Sequence, residues 1–276
     1  MEDSEGGIEW SYSNAMRYES CPRSLFYHYW HNQRDDTDDA SESYTAEHVW
    51  YSTPGALIGT AVHAGISTQI QRWSQGKPTS RDESHEKARE VIETSEFPLT
   101  DERNDPETNQ QSLIDTATDH LDHFLSVMWP QIRSGRYILH EEVRHFQIED
   151  TSVWVQPDLC HRNSDGQFVV TDWKTRQPKF FEEHNLQLQA YALWARTEFE
   201  PDIENLRLQL GFTGTGEIRS LLVTENSLEA TLDKIRSDIQ RWSRPNNQSE
   251  FPTKPDPEKC QSCGYRSSCP TGQDIC

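Results

Sequence analysis

The sequence predicts an α/β fold in which helices flank a mixed central sheet. Three observations predict it. First, residues 153–161 and 167–174 are apolar, strand-like runs separated by the turn cluster Asn163, Ser164, Asp165 and Gly166, which reads as a hairpin. Second, residues 205–213 and 218–224 read as two more strands around the turn T-G-T-G. Third, apolar residues recur at helical spacing over 56–73, 108–133, 183–199 and 226–243, between and around those strands.

Taken in order, Ser11 or Ser13 is placed to cap a helix starting near Asn14, and Cys21-Pro22 breaks it. Pro22 suits the first turn of a second helix. Residues 34–53 are acidic and polar, an exposed loop. The helix over 56–73 carries His63 among small residues, in G-T-A-V-H-A-G-I. Residues 82–94 read as a charged helix and 95–107 as a mobile acidic linker. Over 108–133 one face holds Leu113, Ile114, Ala117, Leu121, Phe124 and Leu125, which predicts a single long helix. Tyr137 to Ile148 reads as the first strand of the sheet. On the helix over 183–199, Leu186, Ala190, Leu193 and Trp194 are expected to face the core, while Gln187 and Tyr191, four apart, share a face.

Composition bounds the functional classes. The chain has 276 residues, is 33% hydrophobic and 10% aromatic, and so supports a substantial core. No apolar run reaches the roughly 20 residues that span a bilayer, and the acidic start lacks a signal pattern. A cytoplasmic protein without a membrane partner is expected. The formal charge is −20, from 46 acidic and 26 basic residues. A nucleic-acid enzyme needs local Lys and Arg, so this balance fits either no nucleic-acid role or a halophilic, salt-adapted surface with a basic cleft. Acid concentrated in D-D-T-D-D at 35–39 and in Glu96–Glu107 favours the second. No phosphate-binding G-x-x-x-x-G-K-[ST] loop occurs, so no ATP-driven motor is encoded. The stretch H-E-E-V-R-H fails the zinc-protease pattern, because His140 and His145 are five apart and cannot share a helical face. Glu142 within it points either to a metal or to solvent.

The chemistry gathers in the hairpin. Side chains two apart in a strand share a face, so Asp172 and Lys174 project together and Trp173 projects away. Folding the hairpin brings Asp158 near Asp172. Two carboxylates select Mg²⁺ or Mn²⁺, and a neighbouring lysine stabilises charge during phosphodiester hydrolysis. The bland alternative is an exposed hairpin with a surface ion pair.

There are six cysteines. Cys260, Cys263 and Cys269 have the spacing C-x₂-C-x₅-C, which in an intracellular chain points to zinc or an iron–sulfur cluster. The fourth ligand is either Cys21, which would close more than 230 residues of chain, or Cys276. Cys160 is expected in the core.

These pieces in this order, S-Y-S-N-A-M-R-Y-E-S-C-P-R, G-T-A-V-H, P-D, D-W-K, Q-L-Q-A-Y and C-x₂-C-x₅-C, resemble the RecB-like branch of the PD-(D/E)XK nucleases. The likeness is to its iron–sulfur members, the Cas-four-type CRISPR-associated exonucleases and the AddB nuclease domain. It implies a restriction-endonuclease-like core over 136–245, a helical N-terminal region over 1–135 and an iron–sulfur tail over 246–276, one unit closed by the cluster. It further implies that His63, Asp158, Asp172 and the Trp173 carbonyl ligate Mg²⁺ or Mn²⁺, and that Lys174 is the catalytic lysine. Gln187 and Tyr191 match the Q-x-x-x-Y motif beside the site. Cys21, Cys260, Cys263 and Cys269 would hold a 4Fe–4S cluster. Asp172 stands where many members carry Glu, and the shorter carboxylate still ligates metal. The implied activity is exonuclease action on single-stranded DNA or DNA ends, with CRISPR-adaptation or recombination proteins as partners. A non-catalytic DNA-binding subunit of such an assembly is the alternative, and a zinc-stabilised protein with no nucleic-acid role is a further one. Arg17, Arg23, Lys174, Arg176 and Arg266 are candidates for the basic lining.

Overall fold

The structure is a computed structural model and describes residues 8–31, 53–95, 109–242 and 248–275. The acidic loops expected at 34–53 and 95–107 lie almost wholly outside the described residues, as does Cys276. The chain divides into two compact units, one of residues 1–51, 147–154 and 233–276, the other of residues 52–146 and 155–232.

The first unit opens with β1 (Trp10–Ser11) and helices α1 (Tyr12–Ser20) and α2 (Pro22–Phe26). Ser11 caps α1 through the Asn14 amide, and Pro22 occupies the first turn of α2, where its missing N–H costs nothing. Cys21 has extended backbone between them and serves as the C-cap of α1 and the N-cap of α2.

The second unit carries α3 (Pro54–Ser74), α4 (Arg81–Glu93) and α5 (Gln110–His123). The predicted helix over 108–133 is interrupted. After α5 the chain widens into a π turn at Phe124–Met128 before the short α6 (Trp129–Ile132). Pro130 explains this, since it has no N–H to give the carbonyl one turn back and its ring crowds that carbonyl. The predicted apolar face otherwise holds: Leu113, Ile114, Ala117, Leu121 and Phe124 are buried, with Leu125 packed alongside.

Two sheets form. β2 (Arg136–Leu139), β5 (Leu159–Arg162), β6 (Phe168–Lys174), β7 (Leu206–Phe212) and β8 (Glu217–Leu221) make one, in the order β2-β5-β6-β7-β8. β3 (Arg144–Ile148) and β4 (Thr151–Val155) join β1 in the other, in the order β1-β4-β3. Two sequence expectations are corrected here. Tyr137 to Ile148 is not one strand, because Glu141 takes a left-handed φ of 49° and its amide is drawn to the Pro157 carbonyl, which ends β2 and starts β3 in the other sheet. The first hairpin strand likewise breaks at Gln156-Pro157-Asp158, where proline has no ladder donor. The hairpin proper is therefore β5 with β6, antiparallel, with Leu159 opposite Thr171 and Arg162 opposite Phe168.

The sheet is mixed, as the sequence predicts. β6 runs parallel to β7 and antiparallel to β5. A parallel pair needs a crossover, supplied by α7 (Asn185–Phe199). β6 is central, and Phe168 through Trp173 are all buried, consistent with an apolar run covered on both faces. On α7 the buried face centres on Leu188, Ala190, Tyr191, Trp194 and Ala195, while Leu186 and Leu193 are only half-buried. The chain continues through α8 (Glu225–Trp242), α9 (Pro257–Gln261) and α10 (Pro270–Ile275). Among the described residues no helix is long and apolar enough to cross a membrane.

Candidate active site

The site is built at the end of β6, in the second unit. Strand alternation sends Trp173 into the core, where its ring meets Phe124 edge-on at 5.3 Å. Asp172 and Lys174 take the opposite face, and Lys174 Nζ lies 2.6 Å from Asp172 Oδ2. Leu159 pairs with Thr171, so the next residues along the two strands are Asp158 and Asp172. Asp158 is fixed by the main chain of its neighbour: the Trp173 amide donates to Asp158 Oδ2 at 2.6 Å. His63 arrives from α3. Its Nε2 donates to the Trp173 carbonyl at 3.0 Å, and its Nδ1 stands 3.6 Å from Asp158 Oδ1.

α7 closes the arrangement. Lys174 Nζ donates to Gln187 Oε1 at 3.2 Å, and Gln187 Nε2 donates to the Tyr191 hydroxyl at 2.9 Å. That hydroxyl reaches Asp172 Oδ1 at 3.2 Å and the Gln156 carbonyl at 3.0 Å. With the Lys174–Asp172 ion pair, four side chains form a closed ring: Lys174, Gln187, Tyr191, Asp172. The four-residue spacing of Gln187 and Tyr191 is what lets one helix face supply both.

Electrostatics follow from burial. Asp158 is pushed up to about 7, chiefly because burial penalises its charge and secondly because the Asp172 carboxylate stands near. Tyr191 is raised by burial and then by the same carboxylates. Two carboxyl groups thus share a dry place with one ammonium, and a divalent cation there would favour the ionised form of both. Asp158, Asp172, the Trp173 carbonyl and His63 make a mostly hard-oxygen donor set that fits Mg²⁺ or Mn²⁺. Among the described residues no three His, Cys, Asp or Glu side chains already form a metal cage.

Glu142 does not approach this site. It is exposed and pairs with Arg144. Sequence reasoning passed over His184, the last residue before α7, which is buried and lines a cavity with His63, Lys174 and Arg176. The only sequence signal for it is its position, three residues before Gln187 at a helix start.

Four of the six cysteines lie in the first unit's described residues. Cys21, Cys260, Cys263 and Cys269 line one cavity of about 230 Å³, together with Arg17, Arg23, Lys254, Lys259 and Arg266. All four are free thiols. Burial pushes the Cys263 thiol up, and Cys21, Cys260 and Cys269 add to the shift. The four line one cavity, but among the described residues no three of them are grouped closely enough to hold a metal ion. Cys160 is fully buried in the sheet, as expected.

A buried carboxylate pair stands beside a lysine at the end of the central strand of a mixed sheet. The family model of the PD-(D/E)XK nuclease superfamily matches residues 9–270, and the chain belongs to that superfamily. It is thus a nuclease, of a group that usually uses Mg²⁺ or Mn²⁺. No curated protein matches the chain. The solved structures it is similar to include "Crystal structure of SSO0001", at 18% identity and a TM-score of 0.35, over 78% of this chain and 95% of that one.

Proposed function

We propose that the chain is a Mg²⁺- or Mn²⁺-dependent DNA exonuclease that acts on single strands or duplex ends. The closed ring of Lys174, Gln187, Tyr191 and Asp172 beside Asp158 carries the reading. A structural ion pair would not need a glutamine and a tyrosine spent on orienting it.

His63, Asp158, Asp172 and the Trp173 carbonyl would hold the cation, which when bound neutralises phosphate charge and lowers the pKa of water. Lys174 keeps an ammonium at the reacting centre, where it orients the attacking water and offsets developing charge. Gln187 holds Lys174, and Tyr191 holds Asp172. The water oxygen bonds to phosphorus as one P–O ester bond breaks, leaving a phosphomonoester and a hydroxyl that takes up a proton. Arg176, beside Lys174, supplies local positive charge on a chain of net charge −20.

Cys21, Cys260, Cys263 and Cys269 would hold a 4Fe–4S cluster with a structural role, tying the tail to the α1–α2 junction. The resemblance to Cas-four-type and AddB nucleases supports this, and supports a place in CRISPR adaptation or in recombination and repair. The acid-rich composition supports a salt-adapted, halophilic setting.

Cleavage of end-labelled single-stranded DNA with Mn²⁺, at low and high KCl, tests the activity. Wild type is expected to shorten the strand progressively from an end, and Lys174→Ala to lose at least about 100-fold in rate. Equal cleavage by the variant overturns the site assignment. Anaerobically purified protein should be brown, with visible absorbance lost in Cys263→Ser; colourless wild type carrying zinc overturns the cluster.

A further inference from the structure

His184 is the N-cap residue of α7, yet its side chain makes no capping hydrogen bond. Ser, Asp or Asn would normally serve there. The residue is 8% exposed, and among the described residues neither ring nitrogen has a hydrogen-bond partner. Buried polar groups are nearly always satisfied, and one left open calls for a reason. The ring gives the fold neither a cap nor a polar contact.

Its surroundings supply the reason. His184 lines a cavity of about 600 Å³ whose wall also holds Lys174, Arg176, His63 and the first turn of α3. α3 is 21 residues long, and its exposed start leaves open space at Gly55. Helix N-termini carry partial positive charge and attract anions. Lys174 and Arg176, each also paired to a carboxylate (Asp172 and Glu183), join the start of α3 in putting N–H donors on a wall shared with Ile58 and Trp173. They suit a phosphate. Burial, then the nearby Lys174, lowers the pKa of His184, which favours the neutral ring with its one N–H and one lone pair.

We propose that His184 is a substrate-contacting residue: its ring N–H donates to a non-bridging oxygen of a phosphodiester in the DNA strand bound at this cavity. The inference rests on the nuclease reading above and adds a residue to it. The contact would give the N–H of the buried ring a partner only when DNA is present. It would also set the strand's register against Lys174.

Binding without cleavage tests it. Fluorescence anisotropy of a labelled single-stranded oligonucleotide is measured in EDTA, with the full chain. Wild type, His184→Ala and His184→Gln are compared. His184→Ala should bind about tenfold more weakly, the usual scale for a hydrogen bond to a charged group. His184→Gln keeps a donor and should stay within about threefold of wild type. A set of oligonucleotides, each with one methylphosphonate linkage, locates the phosphate. At one linkage wild type should lose affinity while His184→Ala loses nothing further. Equal binding by wild type and His184→Ala, or additive losses at every linkage, overturns the contact while leaving the nuclease reading intact. Wild type that neither binds nor cleaves DNA overturns both. Circular dichroism checks folding, and if His184→Ala does not fold, the methylphosphonate series on wild type and His184→Gln decides: parallel losses support the contact, and a wild-type profile without any sensitive linkage overturns it.

Discussion

The Tyr191 hydroxyl stands 3.2 Å from Asp172 Oδ1, a link from the crossover helix to the end of the central strand. The same hydroxyl accepts from Gln187 Nε2 and reaches the Gln156 carbonyl, so three groups fix its position. It touches Asp172 without standing among the cation's proposed ligands. Partners of ligating carboxylates typically cost about 10–100-fold when removed. Tyr191→Phe keeps the ring in its buried slot and deletes only the hydroxyl. The expected result is a fall in kcat of that size with KM for DNA little changed. A rise in KM alone would place Tyr191 against the strand instead.

Asp158 predicts how the metal-free protein answers to pH. Its carboxyl is raised from 3.8 to about 7. Between those values the native protein keeps a proton that the unfolded chain has lost, so this residue makes stability fall as pH rises from about 4 to about 7. A dication favours the carboxylate and reverses the loss. Mn²⁺ at 100 times its Kd should add about 2.7 kcal/mol, read as a higher Tm at pH 8. Asp158→Asn should melt with a flatter pH profile in EDTA and gain much less from Mn²⁺. An equal Mn²⁺ gain in the variant would remove Asp158 from the ligand set.

Much of this site was legible from residue order. Period-two alternation placed Asp172 and Lys174 together, the Asn163–Gly166 turn brought Asp158 opposite, and four-residue spacing paired Gln187 with Tyr191. What alternation does not register is where a strand changes sheet. Glu141 bends with positive φ although nothing in H-E-E-V signals a turn, and Pro157 stops β4 inside a run that still reads as extended. Helical periodicity likewise ran straight through Phe124–Met128, because burial recurs on the same face whether the turn is α or π. His184 was silent for a different reason. Its significance lies in partners it lacks, and missing partners leave no pattern in a sequence.

Gly211 predicts a coupling between packing and chemistry. It lies opposite Trp173 in the parallel β6–β7 ladder, and a Cβ there would stand 2.5 Å from two atoms of the indole ring. The ring is 1% exposed and wedged against Phe124, so it has nowhere to move cheaply. Gly211→Ala should cost about 1–3 kcal/mol by overpacking. Because Trp173 sits between Asp172 and Lys174 and its carbonyl meets His63, the displacement should also lower cleavage under conditions where the variant is fully folded. A variant destabilised yet fully active would show that the indole and the carboxylate end of β6 move independently.

His161 sets an acid limit of opposite sign to the effect of Asp158. It sits in mid-strand, paired with Tyr137 and Val169, and among the described residues its Nδ1 has no hydrogen-bond partner. Burial lowers its pKa from 6.5 to about 4. Between those values the unfolded chain takes up a proton that the native state refuses, so stability rises with pH across the window and is lost as pH falls from 6.5 toward 4. A displacement of that size is worth on the order of 3 kcal/mol at the acid end. His161→Leu keeps an apolar body of similar size and cannot titrate. Urea melts of both proteins in EDTA, from pH 7 down to pH 4, isolate the effect, because the Asp158 contribution is common to both and cancels in the difference. The gap between wild type and variant should shift by that amount in favour of the leucine variant as pH falls. A constant gap would mean that the native strand admits the imidazolium, by opening at β2 or by letting water reach the ring.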